Sequence, residues 1–347
     1  MTGLQNLPYL YDSKIMIQKE YCISVIMPVY KASGYIGRAV ASLIVQTYNN
    51  FELILVDDCG GDNSIEIAVE ILKNSRLKSH YKIVTNTHNQ GVSLSRQKGM
   101  HSSSGEFVIH LDSDDYFEPN LLERLVNTAK FSSSDIVICN YFKESSSGNS
   151  ILVNSVINQS LISIDDKIKY VKEMLRGEKA SALWNKLIRR DLFDKADFRF
   201  DGNLRDDLSA SPILILQAQK VDFVGDALIH YVLYNSNSES VSAGHLKLIS
   251  NTIVMLEKRF KTLGISMEEE FLTYKAITKR KMILHRGIKG RDLKFALDLF
   301  PEVNSAIKAG NNPEKKFQYR TLLKLASGGD TVLFRTYRAL ITHLLAL

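Results

Sequence analysis

Two hydrophobic periods divide the first half of the chain. Ile23-Ser24-Val25-Ile26-Met27, stopped by Pro28, and Phe51 to Val56, ended by the polar loop Asp57 to Asn63, are short β-rich runs without an alternating polar face. Each is followed by apolar positions three and four apart: Ile36, Val40, Leu43, Ile44 and Thr47, then Ile65, Ala68, Val69 and Leu72. That spacing puts each set on one face of a helix, the second with Ser64 or Asp62 placed to cap it. Tyr81 to Thr85, Phe107 to Leu111 and Asp135 to Cys139 repeat the strand signature. Helices are predicted over Ser93 to Met100, opening after Gly91, and on the face made by Leu121, Leu122, Leu125, Val126 and Ala129. Strands lacking a polar face, separated by helices, predict an α/β fold, a mostly parallel buried sheet with helices on both faces.

The pattern changes downstream. Ser145 to Ser150 reads as a loop, Ile151 to Ile164 as an extended hairpin and Lys167 to Arg176 as a helix. Beyond Asn235 the strand signals fade, and long helical patterns run from Leu246 to the end. The Ser- and Asn-rich stretch Asn235 to Gly244 marks a boundary, dividing an α/β domain (1–235) from a helical C-terminal region (236–347).

Composition adds three constraints. With 45% apolar and 24% charged residues, the 347-residue chain has the balance of an ordinary folded protein. Its three cysteines, Cys22, Cys59 and Cys139, are too few and too scattered for a disulfide framework or a zinc module and fit a reducing, cytoplasmic setting. Met1 to Tyr21 has no long apolar run, and no stretch of about 18 apolar residues predicts a membrane span. Charge is uneven: residues 236–347 hold 19 Lys and Arg against 10 Asp and Glu, whereas residues 1–235 hold 25 against 28.

Ligands of parallel sheets bind where strands end and helices begin. Here the first strand runs into Pro28-Val29-Tyr30, the second into Asp57-Asp58 and the fourth into Asp112-Ser113-Asp114-Asp115. Carboxylates from two strand ends converging on one rim repel each other unless a cation or donor groups compensate them. Oxygen ligands of this kind suit Mg²⁺ or another hard divalent ion that also takes substrate phosphates. The eight histidines show no metal-ligand spacing, and Ala32-Ser33-Gly34 stands where a nicotinamide enzyme would carry its glycine fingerprint.

These residues also resemble a family. Val25-Ile26-Met27-Pro28-Val29-Tyr30, Gln46-Thr47-Tyr48, Phe51 to Asp58, Asn89 with Gly91, Ser93, Arg96 and Gly99, Gly105-Glu106-Phe107, Leu111 to Asp115, and Trp184-Asn185-Lys186-Leu187 are similar to glycosyltransferase family 2 motifs in order and spacing. The similarity runs from about Ile23 to Tyr234. It implies a GT-A fold and inverting, metal-dependent transfer of a sugar from a nucleotide-sugar, a UDP-sugar first, to a saccharide or lipid-linked saccharide acceptor. It assigns Pro28, Tyr30, Asp58, Arg96, Asp112 and Ser113 to the donor, with Tyr30 and Asp58 at the nucleobase, and Asp114 to Mn²⁺ or Mg²⁺. Asp207 takes the general base's place, with Asp206 where the family usually has Glu. Asp115, Trp184 and Lys186 are placed behind the site or on its acceptor side. Cys59-Gly60-Gly61-Asp62 departs from the usual Gly-Ser-Thr-Asp.

The basic rear region lies outside the resemblance. Leu333, Phe334, Tyr337, Leu340, Ile341, Leu344 and Leu345 form one side of a terminal helix, opposite Arg335, Arg338 and Thr342. Such a helix packs on its own domain, joins a second copy of the chain, or lies on an anionic membrane surface, the last suiting cell-surface polysaccharide or glycolipid synthesis. No nucleic-acid-binding motif accompanies the charge. The rival to an enzyme is a non-catalytic nucleotide-binding partner in a polysaccharide-synthesis assembly, which the intact acidic motifs speak against.

Overall fold

The computed structural model describes residues 22–145, 148–234, 243–285 and 287–344. The reading of Met1 to Tyr21, most of the Ser- and Asn-rich boundary, and Leu345 lie outside these residues.

The first half alternates as its pattern predicts: β1 (Ile23–Val29), α1 (Ile36–Ile44), β2 (Phe51–Asp57), α2 (Ser64–Lys73), β3 (Tyr81–Thr85), α3 (Val92–Ser102) and β4 (Phe107–His110). These strands lie parallel in the order β3-β2-β1-β4, with Ile23 level with both Phe51 and Phe107. Ile36, Ala39, Val40 and Leu43 of α1 are buried in the core, the Ile, Val and Leu side chains contributing about 1.5–3 kcal/mol each. Pro28 does not stop β1, which continues to Val29. The amide of Leu111 donates to Ile26 O, so Pro28, two residues on, faces the same side. The pairing with β4 ends at Ile26 and His110, and there Pro28's missing N–H breaks no ladder bond. Neither Ser64 nor Asp62 is the N-cap of α2, which is Asn63 and makes no side-chain cap bond; Asp62, one residue earlier, accepts from the Ser64 amide and hydroxyl through Oδ1.

Past β4 the sheet becomes mixed. β5 (Tyr116–Phe117), α4 (Leu121–Ser132), β6 (Ile136–Ser145), β7 (Ser150–Val153), α5 (Ile164–Leu175), β8 (Lys186–Arg189), α6 (Leu192–Lys195), α7 (Asp206–Gln217) and β9 (Val221–Leu233) follow. β8 runs antiparallel to both β4 and β6, while β6 and β9 are parallel, extending the order to β4-β8-β6-β9-β5. The α/β class holds, but only the front of the sheet is the expected parallel one. β5, β8 and β9 escape the hydrophobic pattern because the first two are short and the third alternates irregularly between buried and open positions. Of the expected hairpin, Ser150–Val153 alone pairs with β6, and Leu161 bridges Val221. Ser163 opens α5 by accepting from the Asp166 amide at 3.1 Å.

The rear region is helical: α8 (Ala243–Thr262), α9 (Glu268–Leu284), α10 (Gly290–Asp298), α11 (Pro301–Lys308), α12 (Phe317–Ala326) and α13 (Val332–Leu344). One core runs without interruption from Ile136 and Leu214, through Leu256 and Phe271, to Leu323 and Phe334. The terminal stripe is divided. Phe334 and Ile341 are buried and Tyr337 packs beside them, whereas Leu333, Leu340 and Leu344 face outward. Arg338, expected on the open side, instead donates to the carbonyls of Ile283, His285 and Ile288, closing the C-terminal end of α9.

Candidate active site

The parallel half of the sheet brings the ends of β1, β2 and β3 side by side, with Val29 level with Asp57 and Asp57 with Thr85. On α3, which crosses this edge, Arg96 is 1% exposed and gathers three carboxylates. Its Nη2 donates to Asp112 Oδ1 at 2.6 Å, and its Nη1 meets Asp206 Oδ2 and, at 3.4 Å, Asp207 Oδ1. Burial opposes the guanidinium's charge, but the charges of Asp112 and Asp207 outweigh it and raise its pKa. Arg96 thus ties the turn after β4 to the start of α7, residues 94 positions apart in sequence reading but adjacent in space through α3.

The turn after β4 separates its acids. The Asp115 amide donates to Asp112 O at 3.0 Å, closing a four-residue turn. Asp115 points away from solvent into β9, where its Oδ1 accepts from the Val232 amide at 2.8 Å and its buried Oδ2 has no hydrogen-bond partner. Asp112 and Asp114 line an open cleft of about 620 Å³. Burial and the charge of Asp112 push the Asp114 carboxyl up to about 6. Ser113 stands half-buried between them. Arg38 of α1 steadies the turn from behind: its Nη2 donates to Asp114 O at 3.3 Å and to Tyr234 Oη, and its guanidinium lies 4.3 Å from the Tyr116 ring centre. Sequence reasoning missed Arg38, whose only local signal is a cation in an otherwise apolar helix.

Asp207 faces the same cleft from the first turn of α7. Its Oδ1 accepts from the Leu183 amide at 3.0 Å, and Arg205 Nη2 stands 3.8 Å from its Oδ2. Asp206 is 3% exposed and turned inward to Arg96, a position behind the site. Trp184 and Tyr231 stack with their rings 12° apart, and Tyr141 meets Trp184 edge-on at 4.6 Å. Burial and the charges of Asp115, Asp112 and Asp114 push the Tyr231 hydroxyl up to about 12. The opposite wall comes from the rear helices, with Ile249 of α8 and Tyr274, Thr278 and Lys281 of α9. Nothing in the local sequence of α9 announces this role.

Lys186 does not reach the cleft. It is 1% exposed, with Nζ donating to Ala182 O, to Asn185 Oδ1 at 2.9 Å and to Ala180 O at 3.3 Å. Burial brings its pKa down to about 8, despite the neighbouring charge of Asp207. It fixes the 180–185 loop on which Trp184 sits, which is the position behind the site, of the two expected for it. Arg189 and Arg190 are likewise engaged, with Glu106, Asp135 and Gly105 O.

At the β1–β2 edge the two adjacent acids part. Asp58 is 3% exposed and accepts from Asn86 Nδ2 and the amides of Gln90 and Gly91 at 2.7–2.8 Å. It holds the loop that starts α3 through three hydrogen bonds, two to Oδ1 and one to Oδ2. Asp57 instead lines a smaller cleft of about 300 Å³, with Val29 and the Cys59-Gly60-Gly61 loop. Tyr30 stands half-buried at the end of β1 beside this cleft, with Lys31 Nζ 5.2 Å from its ring centre. Gly60 is obligatory here, because a Cβ would sit 2.5 Å from Lys31 N.

Among the described residues no three His, Cys, Asp or Glu side chains are grouped as a metal cage. The cleft does present two carboxylates, Asp112 and Asp114, whose mutual repulsion is written into the raised Asp114 pKa. That oxygen-only donor set fits a hard divalent ion sharing its shell with ligand phosphates.

Together, the half-parallel sheet, the Asp-x-Asp turn at its edge and the Asp-bearing helix across the cleft have the arrangement of the GT-A fold. The chain belongs to glycosyl transferase family 2, whose profile matches residues 24–196. It is 32% identical over 258 residues to the cholesterol galactosyltransferase of Borreliella burgdorferi, spanning 70% of this chain and 69% of that one. EpsH of Bacillus subtilis, named as a glycosyltransferase, is 32% identical over 219 residues, 62% of either chain. An Escherichia coli relative, the UDP-Glc:alpha-D-GlcNAc-diphosphoundecaprenol beta-1,3-glucosyltransferase WfgD, is 32% identical over 142 residues, 41% of this chain and 53% of its own. The crystal structure of S. aureus TarS 1-349 in complex with UDP has the same fold, with a TM-score of 0.61 at 20% identity over 92% of this chain and 90% of that one.

Proposed function

We propose that this chain transfers a glycosyl group from a UDP-sugar to a hydroxyl of a saccharide acceptor, with inversion at the anomeric carbon and with a divalent cation. The reading fits the assembly of a cell-surface polysaccharide or glycolipid. One observation carries it: Asp207, Asp112 and Asp114 line a single cleft. UDP complexes of a fold neighbour and the UDP-glucose named for the E. coli relative favour the donor.

Asp207 supplies the base. Its Oδ1 is held by the Leu183 amide and by Arg96, which leaves Oδ2 to take the proton of the attacking hydroxyl. General-base assistance of this kind contributes about 10²–10⁴-fold. Attack from the face opposite the departing nucleotide gives inversion. Asp114, with Asp112, is the residue set that would hold Mn²⁺ or Mg²⁺, which when bound acts as a Lewis acid on the diphosphate. Arg96 keeps the two ends of the site in register, and the Trp184–Tyr231 stack offers an apolar surface to a sugar ring.

Incubation with a panel of UDP-sugars and Mn²⁺ or Mg²⁺ tests this reading by UDP release. Asp207→Asn lowers transfer by about 10²–10⁴-fold while UDP still binds. UDP binding without turnover of any sugar would replace the reading with that of a non-catalytic assembly partner.

The outward face of α13 suits peripheral contact with an anionic lipid surface. Leu333, Leu340 and Leu344 recur at seven and four residues, are 65%, 52% and 56% exposed, and belong to the basic rear region. Cosedimentation with phosphatidylglycerol vesicles is expected, and Leu333→Glu with Leu340→Glu should abolish it. Unchanged sedimentation of that double variant would show that the face serves something else.

A further inference from the structure

Arg96 has five N–H donors, and its three acids engage only those on the two Nη atoms. Its Nε is buried and has no hydrogen-bond partner among the described residues. His110, the last residue of β4, is in the same condition: it is 0% exposed, and neither Nδ1 nor Nε2 has a partner there. Buried polar atoms are nearly always satisfied, by protein or by an enclosed water. Orphaned atoms that share a neighbourhood therefore call for one explanation.

The fold sets the two side chains together. His110 is level with Ile26 across the β1–β4 pairing, so both project from one face of the sheet. α3 covers that face: Gly99 rests on Ile26 so closely that a Cβ would overlap its Cγ2, and Arg96 lies one turn before Gly99 on the same buried side of the helix. The charge of Arg96 reaches His110 and, with burial, holds the histidine pKa well below its ordinary value. The imidazole is therefore neutral, with one N–H and one bare nitrogen that can accept. Phe200 packs edge-on against it at 5.7 Å, and the Phe200 amide donates to Oε1 of Gln97, the residue after Arg96, at 2.7 Å.

We infer that His110 is a positioning residue for Arg96, with a water enclosed between them that accepts from Nε–H and donates to the bare ring nitrogen. With Nη1 and Nη2 on the acids and Nε on this water, the guanidinium is held along every edge. Its orientation in turn keeps Asp112 and Asp207 in register across the cleft. The catalytic consequence rests on the proposed transfer reaction, whereas the water is observable without it.

A crystal structure of the full chain, at a resolution that orders internal water, should show one molecule within about 2.7–3.2 Å of both Arg96 Nε and a ring nitrogen of His110. Density that places no water on both atoms overturns the inference. In the UDP-sugar assay with Mg²⁺, His110→Phe keeps a ring to pack on Phe200 but removes both nitrogens, and should lower kcat by about tenfold. His110→Asn and His110→Gln each bring an amide near one of the two nitrogen positions, and the better of them should recover most of that loss. Full kcat in His110→Phe, or equal losses in all three variants, would reduce His110 to a packing residue and overturn the inference. Absence of turnover in the wild type strikes the transfer reading instead, and the crystallographic water then decides the positioning role alone.

Discussion

Asp114 illustrates how a site residue trades stability for chemistry. Its carboxyl is pushed from 3.8 up to about 6 by burial and by Asp112, so the folded chain prefers it protonated. The penalty for carrying the charge begins as pH rises past 3.8 and is complete above about 6. Asp114→Asn should therefore be more stable than wild type at pH 7 in cation-free buffer, with the gap closing toward pH 4. Thermal melts of the two proteins at both pH values check this, and a gap independent of pH would contradict it. At this scale the motif residues were legible: Arg96, Asp112, Asp114 and Asp207 come together as their resemblance implies. The choice between Asp57 and Asp58 was not. Which of two adjacent acids turns inward depends on the Asn86–Gly91 loop that claims Asp58, and that loop is brought by another strand.

Among elements, α3 is the one whose seating the site depends on, since it carries Arg96. It lies close to the sheet at Gly99, where a Cβ would come within 2.4 Å of Ile26 Cγ2 and 3.2 Å of Val56 Cγ2. Propensity alone favours alanine in a helix by about 1 kcal/mol. Here overpacking against β1 and β2 outweighs that gain, and Gly99→Ala should lower stability by about 1–3 kcal/mol in urea unfolding. A stabilised variant would mean that α3 sits further from the sheet than described. β1, β2 and β4 were readable because they are buried on both faces, six residues in a row along β2. β9 was not, because its thirteen residues mix buried and open positions as it pairs with β6 through two register shifts.

At the scale of the whole molecule, the sequence boundary near residue 235 does not divide the core. Leu208 and Leu214 of α7 share one apolar cluster with Ile253 and Leu256 of α8 and with Phe271 of α9. The wall of the cleft is built from both regions. Removal of residues 236–347 should therefore leave residues 1–235 without a cooperative melting transition, while the full chain unfolds in one step. Calorimetry of the two chains tests this, and a sharp, reversible transition in the shorter one would establish an independent domain.

The amino-acid order alone determined the α/β class, the acidic turns at the strand ends and the apolar stripe of the last helix, because each depends on residues close together along the chain. The packed molecule decided what lies between them. It set β8 against the parallel strands, sealed Asp58 and Lys186 away, split the α13 stripe into an inner and an outer face, and laid α9 across the cleft. Those outcomes depend on contacts between segments tens to hundreds of residues apart, where burial and charge compensation, rather than local periodicity, select the arrangement.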